Sequence, residues 1–152
     1  MTTTRLPSVR ILFALACCFS LGLSAFAAGT HVKAAKPLRI SQGERVELTD
    51  FLVPGKFTIF DFTSEYCPPC RGYDEPLYLL HEQRDEVAVV KVDINRPMFH
   101  KIDWESPVAK QYELQSIPHF TIYGPDGKLV ADDNNDERSA RILVDKMINA
   151  LK

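Results

Sequence analysis

Apolar residues along this chain fall into short runs with strand-like spacing. Phe57 to Phe62 and Val87 to Ile94 are apolar runs rich in β-branched and aromatic residues, a pattern typical of buried strands. Phe120 to Tyr123 and Lys128 to Ala131 alternate around the turn-forming residues Gly124-Pro125-Asp126-Gly127. This arrangement predicts a β-hairpin.

A helix is predicted from Cys67 to about Asp85. Tyr73, Leu77 and Leu80 fall on one side of this segment, which gives it an apolar face at helical spacing. Pro76 lies inside the segment. We expect it to kink the helix, because proline removes a backbone donor and clashes with the preceding turn.

Two further helices are predicted nearer the C-terminus. The first runs from Ser106 to Tyr112, with Ser106 as the N-cap and Pro107 at the first helical position, where proline is favoured. The second covers about residues 137–151. One stripe of that segment collects the apolar residues Ala140, Leu143, Val144, Met147, Ile148 and Leu151.

The order strand, helix, strand, helix, hairpin, helix favours an α/β fold, in which a central mixed β-sheet is flanked by helices on both faces. Ahead of these elements, Val46 and Leu48 are apolar at alternating positions before a Pro54-Gly55 turn signal. Residues 28–37 are interpreted as a flexible lead-in. Residues 38–152 are long enough for one domain with its own core.

Residues 1–27 have the layout of a secretory signal peptide. Arg5 and Arg10 make the start basic, the segment from Ile11 to Leu23 is mostly apolar, and Ala25-Phe26-Ala27 offers a cleavage site between small residues. We therefore predict a periplasmic or secreted protein. An uncleaved N-terminus that anchors the protein in the membrane is the alternative, and a lipid anchor at Cys17 or Cys18 is a weaker one.

The charge of the chain gives no reason to expect nucleic acid or anionic lipid as a partner. The formal net charge is −2, and cleavage after Ala27 removes Arg5 and Arg10 but no acid, which leaves −4. Cleavage also removes the apolar segment, so no membrane span is expected in the mature protein.

Cys67-Pro68-Pro69-Cys70 is the most informative motif of the chain. After cleavage these two cysteines are the remaining thiols, and two thiols at this spacing form a redox pair, a structural disulfide or half of a metal site. A structural disulfide usually closes a longer loop. A metal site needs further ligands, but there is no second such motif and the four histidines are scattered, so we predict no metal.

The position of the pair between a buried strand and a helix suggests separate roles for the two sulfurs. Cys67 lies where an N-cap is expected, with Pro68 at the first helical position. We expect Cys67 to be the exposed, attacking thiolate, because a helix N-terminus stabilises negative charge. Cys70, one turn into the helix, is then the buried resolving thiol.

Three segments together resemble thioredoxin-like proteins. Asp61 to Arg71 is similar to their active-site region, Ser116-Ile117-Pro118 followed by Phe120 to Tyr123 to their second signature, and Val89 to Asp93 to the strand between them. The resemblance covers about residues 46–151 and implies a thioredoxin fold. The run from Glu44 to Phe51 is also similar to exported TlpA-like thiol-disulfide oxidoreductases.

The resemblance implies catalytic roles for Asp61 and Lys91. Asp61 matches a buried carboxylate that helps to move the proton of the resolving thiol, and Lys91 matches a lysine near that carboxylate. The residue pattern supports the same role for Asp61. A carboxyl group inside an apolar strand must be paired or neutral, and its pKa is raised by burial. The alternatives are an Asp61 that faces water at a strand end and a Lys91 on the surface.

Substrate binding is predicted around the cysteine pair. Pro118 matches the cis-proline that packs against the disulfide in the family, with an ordinary trans proline as the alternative. The backbone at Ile117 would then pair with an extended polypeptide. Tyr66, in place of the tryptophan common in the family, offers an apolar surface with a polar tip, and Pro68 and Pro69 complete the predicted set.

These features predict an exported thiol-disulfide oxidoreductase that reduces or isomerises protein disulfides. Pro69 has no backbone N–H, so a Cys67 thiolate finds few donors at the helix start. This favours a reductant over a strong oxidant. A disulfide-forming oxidant is one alternative. A thioredoxin-fold binding or metallochaperone module without catalysis is another.

The expected partners follow from that chemistry. Protein thiols and disulfides are the substrates, and a membrane thiol-disulfide relay is the expected electron donor. No cofactor is needed beyond the Cys67–Cys70 disulfide itself.

Overall fold

The structure is a computed structural model that describes Met1, residues 31–134 and residues 139–152. The predicted signal peptide and the first part of the lead-in lie outside these residues, apart from Met1. Both therefore stay predictions, as does the domain boundary at residue 38. In the described part of the chain, no helix combines the length and the apolar character that crossing a membrane requires.

The described residues form five strands and three α-helices. The strands are β1 (Leu38–Ile40), β2 (Phe57–Thr63), β3 (Val87–Asp93), β4 (His119–Tyr123) and β5 (Leu129–Asp132). The helices are α1 (Pro68–Gln83), α2 (Pro107–Gln111) and α3 (Ser139–Asn149). Strand β1 was missed by the hydrophobic pattern, because it has three residues and a single buried one, Ile40.

The strands form one mixed sheet in the order β1-β3-β2-β4-β5. Strands β1, β3 and β2 run parallel, whereas β4 pairs antiparallel with both β2 and β5. The predicted hairpin is therefore confirmed as β4 and β5. The alternating apolar residues near Val46 form no strand, because Leu48–Phe51 is a 3₁₀ turn.

Side chains alternate between two cores, one on each face of the sheet. Phe60 and Phe62 of β2 pack on one face with Val108 of α2. Ile59 of β2 packs on the other face with residues of α1 and α3, including Leu77 and Val144. The predicted mixed sheet with helices on both faces is confirmed, and the alternation directs Asp61 to the side of α1 and α3.

Candidate active site

The two cysteines form a disulfide at the N-terminus of α1. Cys67 is the N-cap and Pro68 the first helical residue, as the sequence predicts. Cys67 and Cys70 are bonded through their sulfurs, with 5.3 Å between their Cα atoms. The Cys70 backbone N–H donates to Cys67 Sγ at 3.2 Å. One backbone donor therefore reaches the first sulfur, and Pro69 supplies none.

Cys67 is not the exposed residue that the sequence predicts. In the disulfide form it is 1% exposed, the same as Cys70. Its sulfur is covered on one side by the bond to Cys70, and the Ile117 carbonyl oxygen lies 3.7 Å from it. Pro68 and Pro69 are exposed beside the disulfide. The first sulfur is thus sheltered in this state, with both prolines at the surface.

The turn that faces the disulfide comes from the start of β4. The Ile117–Pro118 peptide bond is cis, Ile117 is half-buried and Pro118 is buried. The Pro118 carbonyl accepts a hydrogen bond from Arg141 Nη2 of α3. The hydrogen bond from Arg141 holds the Pro118 carbonyl against α3. The Ile117 carbonyl stays beside the sulfur of Cys67.

Arg141 and Asp133 were not expected at the site. Asp133 accepts from the backbone N–H of Arg141 at 2.9 Å and from that of Phe120 at 3.0 Å. It therefore joins the first turn of α3 to the residue two positions after Pro118. No periodicity or motif could have found this pair, since Asp133 lies in the charged stretch after β5 and Arg141 in the first turn of α3, both far along the chain from the cysteine motif.

Asp61 is fully buried next to Lys91. The two residues are register partners on β2 and β3, Asp61 is 0% exposed, and Lys91 Nζ lies 3.3 Å from Asp61 Oδ2. Burial raises the Asp61 pKa to about 6, although the Lys91 charge opposes that rise. The carboxyl group can therefore hold or release a proton near neutral pH.

Lys91 is shared with a second carboxylate, that of Asp74. Lys91 Nζ also donates to Asp74 Oδ1 on α1, and the Asp74 side chain is half-exposed. The three groups form a line of charges from the interior to the surface. Helical spacing could have predicted this neighbour, because Asp74 lies four residues after Cys70 and so on the same face of α1.

Tyr66 stands directly before the disulfide and is half-buried. Its backbone N–H donates to Ser64 Oγ at 3.1 Å, and its hydroxyl lies 3.3 Å from His100 Nδ1. His100 belongs to the polar stretch between β3 and α2. No sequence motif indicates that this residue lies beside the active site.

His119, directly after Pro118, points into the protein. It is 2% exposed, its ring meets the Phe62 ring edge-on, and its Nε2 lies 3.7 Å from Asp132 Oδ2. Burial works to raise the Asp132 pKa, but the nearby His119 ring and the hydrogen bonds from Thr121 and Asn134 outweigh it, and the pKa is lowered. This acid is thus an ionised partner for the buried imidazole.

Within residues 31–134 and 139–152, no three or more His, Cys, Asp or Glu side chains are grouped as ligands for a metal ion. The expectation that the protein needs neither a metal nor a cofactor stays a prediction.

Comparison with known proteins places this geometry in one family. The family pattern described as Thioredoxin matches residues 46–149. Thioredoxin H2 of Arabidopsis thaliana is 28% identical over 112 residues, which cover 72% of this chain and 77% of that protein. A thioredoxin H-type of Fagopyrum esculentum is 30% identical over 98 residues, with 63% of this chain and 78% of the relative covered.

A solved structure agrees on the fold. The reduced thioredoxin pre-protein of Schistosoma mansoni superposes with a TM-score of 0.50 at 22% identity, over 77% of this chain and 99% of that one. Agreement at this identity concerns the course of the backbone alone.

Proposed function

This chain belongs to the thioredoxin family, and we propose that it is an exported protein-disulfide reductase that cycles between a Cys67/Cys70 dithiol and the Cys67–Cys70 disulfide. The observation that carries the proposal is the disulfide at the N-terminus of α1, with the Ile117 carbonyl beside its first sulfur. A catalytic pair needs a short loop that closes and opens with little backbone movement, and this one spans one helical turn.

The reaction begins with the reduced protein. The Cys67 thiolate attacks one sulfur of the substrate disulfide, forms a mixed disulfide and releases the other substrate sulfur as a thiolate. The Cys70 thiol then loses its proton, for which the Asp61 carboxylate is the candidate acceptor, and attacks Cys67 Sγ. The second substrate sulfur leaves as a thiolate. Two electrons have passed to the substrate, and a dithiol donor must restore the protein.

The helix start favours a reductant. Backbone N–H groups at a helix N-terminus stabilise a thiolate, and a better stabilised thiolate makes the disulfide more oxidising. Here one such N–H, that of Cys70, reaches Cys67 Sγ. Equilibration with glutathione redox buffers measures the potential. A value near that of strong oxidants, about −120 mV, would overturn the direction and favour the disulfide-forming alternative.

Two serine variants test the activity itself. We expect the wild-type protein, kept reduced by dithiothreitol, to reduce insulin, and Cys67→Ser to lose that activity while its circular dichroism stays native. Cys70→Ser should stall as a mixed disulfide with insulin, since the resolving thiol is missing. A Cys70→Ser protein that never traps a substrate would speak against catalysis and favour a binding or metallochaperone module.

Export rests on the pattern of residues 1–27 and is tested separately. We expect the mature protein to begin at Ala28 and to be found outside the cytoplasm, where a membrane thiol-disulfide relay would supply its electrons. N-terminal sequencing of the protein from fractionated cells gives the answer. A chain that keeps its N-terminus and remains with the membranes would favour the anchored alternative. Membership of the TlpA-like subclass also stays a prediction.

A further inference from the structure

The segment between β3 and α2 is fastened to the turn that carries Cys67. Ser64 Oγ donates to Asn95 Oδ1 at 2.7 Å and accepts from the Tyr66 backbone N–H at 3.1 Å. The Ser64 carbonyl accepts from the Cys67 backbone N–H at 3.1 Å. Asn95 and Ser64 are both buried. Two hydrogen bonds therefore separate Asn95 from the backbone of Cys67.

Asn95 also fixes the segment from inside. Its Nδ2 donates to the carbonyls of Phe99 at 3.3 Å and Lys101 at 2.6 Å, while its Oδ1 accepts from the Asp103 backbone N–H at 3.4 Å. The Asn95 side chain thus binds both sides of the loop that follows β3. The same side chain also binds Ser64, so it connects this loop to the turn before Cys67.

An ion pair closes the same loop. Arg96 Nε and Nη2 donate to the two carboxylate oxygens of Asp103 at 2.7 and 3.0 Å, and Asp103 is 2% exposed. The Arg96 guanidinium also lies over the Phe99 ring, 4.2 Å from its centroid. A paired, buried carboxylate of this kind holds its geometry firmly, so residues 96–103 keep a defined shape without a partner.

This ordered loop presents His100 beside the active site. His100 is exposed, and its Nδ1 lies 3.3 Å from the hydroxyl of Tyr66, the residue before Cys67. With Nδ1 engaged by the phenol, Nε2 is the nitrogen left to meet a hydrogen-bond acceptor. Met98 and Trp104 at the two ends of the loop are also exposed, at 74% and 40%.

We propose that residues 96–104, which we call the specificity loop, form part of the substrate site, and that His100 donates a hydrogen bond to the polypeptide next to the disulfide being reduced. The inference rests on the proposed reductase function. A loop ordered in advance loses little conformational entropy when a substrate binds, so its contacts contribute directly to affinity. A small disulfide has no chain to reach His100, whereas a protein substrate does.

The test compares two substrates in single-turnover reactions of the reduced protein. Insulin supplies a disulfide within a polypeptide, and hydroxyethyl disulfide supplies one without. We expect His100→Ala to lower the ratio of the insulin rate to the hydroxyethyl disulfide rate about three- to tenfold, the effect of one lost hydrogen bond. His100→Gln, which can still donate, should restore part of that ratio. His31→Ala is the matched control, because His31 is also an exposed histidine but lies outside the loop, where its ring stacks on Phe51.

Each outcome separates the loop from the reductase function. A wild-type protein that reduces neither substrate contradicts the proposed function. A wild-type protein that reduces both, with an unchanged ratio in His100→Ala, overturns the specificity loop alone. Equal losses of rate with insulin and with hydroxyethyl disulfide would also overturn the proposed role of the specificity loop. They would mean that His100 only supports the fold of the turn that carries Cys67.

Trp104 provides a second readout, since it is the single tryptophan of the chain. When Cys70→Ser forms a mixed disulfide with a tryptophan-free peptide, we expect the emission of Trp104 to shift. The same protein modified with hydroxyethyl disulfide should show a smaller shift. Identical spectra with both partners would contradict a contact between the loop and the polypeptide.

Discussion

Lys91 Nζ lies 3.3 Å from the fully buried Asp61 Oδ2 and also donates to the half-exposed Asp74. One ammonium group thus serves two carboxylates, of which only the outer one has ready access to water. Among the residues that the structure describes, none is a hydrogen-bond partner of Asp61 Oδ1. The inner acid is incompletely paired, and its pKa is raised to about 6, first by burial.

The first prediction concerns stability. Because the Asp61 pKa is higher in the folded protein than its ordinary value of 3.8, the folded state holds a proton that the unfolded state releases between these two values. Stability is therefore lost as the pH rises through this range, and the loss is complete above pH 6. Asp61→Asn removes this loss and should stabilise the oxidised protein at pH 7 by up to about 3 kcal/mol.

Urea unfolding of the two proteins at several pH values measures the difference. We expect it to shrink as the pH falls through the range and to reach its minimum below about pH 4, where both forms are neutral. A constant difference from acid to neutral pH would mean that Asp61 is not the group that titrates.

Asp74 should tune the titration of Asp61. Its negative charge raises the Asp61 pKa, and its bond to Lys91 draws the ammonium group outward. Asp74→Asn should therefore lower the Asp61 pKa and move the pH dependence of mixed-disulfide resolution to lower pH. Glu75→Gln is the control, because Glu75 is exposed and next to Asp74 on the same helix. The same shift of the pH dependence in both variants would mean that any negative charge on this surface has the effect, and that the bond between Asp74 and Lys91 is not needed for it.

Sequence patterns were sufficient for the parts of the fold whose residues are close together along the chain. Phe57 to Phe62 and Val87 to Ile94 were recognised as strands because burial on both faces leaves a continuous apolar run. The hairpin was recognised from its turn residues. Ser106 was recognised as an N-cap, and its hydroxyl accepts from the Ala109 N–H. Each of these features is decided within a few residues.

Features that depend on distant residues were not predictable in the same way. The prediction that Cys67 is exposed is wrong for the disulfide form, in which Cys67 is 1% exposed and the carbonyl of Ile117, 50 residues away, lies 3.7 Å from its sulfur. The bond between Tyr66 and His100 joins residues 34 apart, and no local pattern indicates it. Asp61 and Lys91 were anticipated through family resemblance, whereas their position opposite each other follows from the register of β2 and β3.

Gly43 is predicted to be a position that tolerates no side chain. Its φ is +84°, and a Cβ there would lie 2.6 Å from the backbone nitrogen of Arg96 and 2.9 Å from the carbonyl carbon of Asn95. Gly43→Ala should cost about 3 kcal/mol in the free energy of unfolding, from the positive φ and the clash together. It should also loosen the specificity loop, which begins at Arg96.

Gly55→Ala is the matched control. Gly55 has a similar φ of +74°, but no atom of the described part of the chain lies within 4 Å of its added Cβ, so the substitution should cost only about 1 kcal/mol. Urea unfolding gives both values, and amide hydrogen exchange at residues 96–103 reports on the loop. An equal loss in the free energy of unfolding for Gly43→Ala and Gly55→Ala would mean that the close contact between residue 43 and the Arg96 backbone does not contribute.

His81 should make the attachment of the lead-in sensitive to acid. Its Nδ1 accepts from the Val89 N–H at 3.0 Å, so Nε2 carries the proton and donates to the Ala34 carbonyl at 2.8 Å. Burial lowers the His81 pKa, although the bond to Ala34 opposes this. Protonation would replace the acceptor at Nδ1 with a donor that faces another donor.

The stability that His81 contributes is therefore present above its ordinary pKa of 6.5, and it is lost as the pH falls through the lower folded value. We expect amides near Ala34 to exchange faster at about pH 5 than at about pH 8. We also expect His81 to contribute less to the free energy of unfolding at the lower pH, as measured by urea unfolding against His81→Gln, a difference in which the opposite pH dependence of Asp61 cancels. His81→Gln should weaken this dependence. His31→Gln should retain it, because His31 is exposed and its ring stacks on Phe51. If both variants keep the full dependence, the acid-sensitive group lies elsewhere.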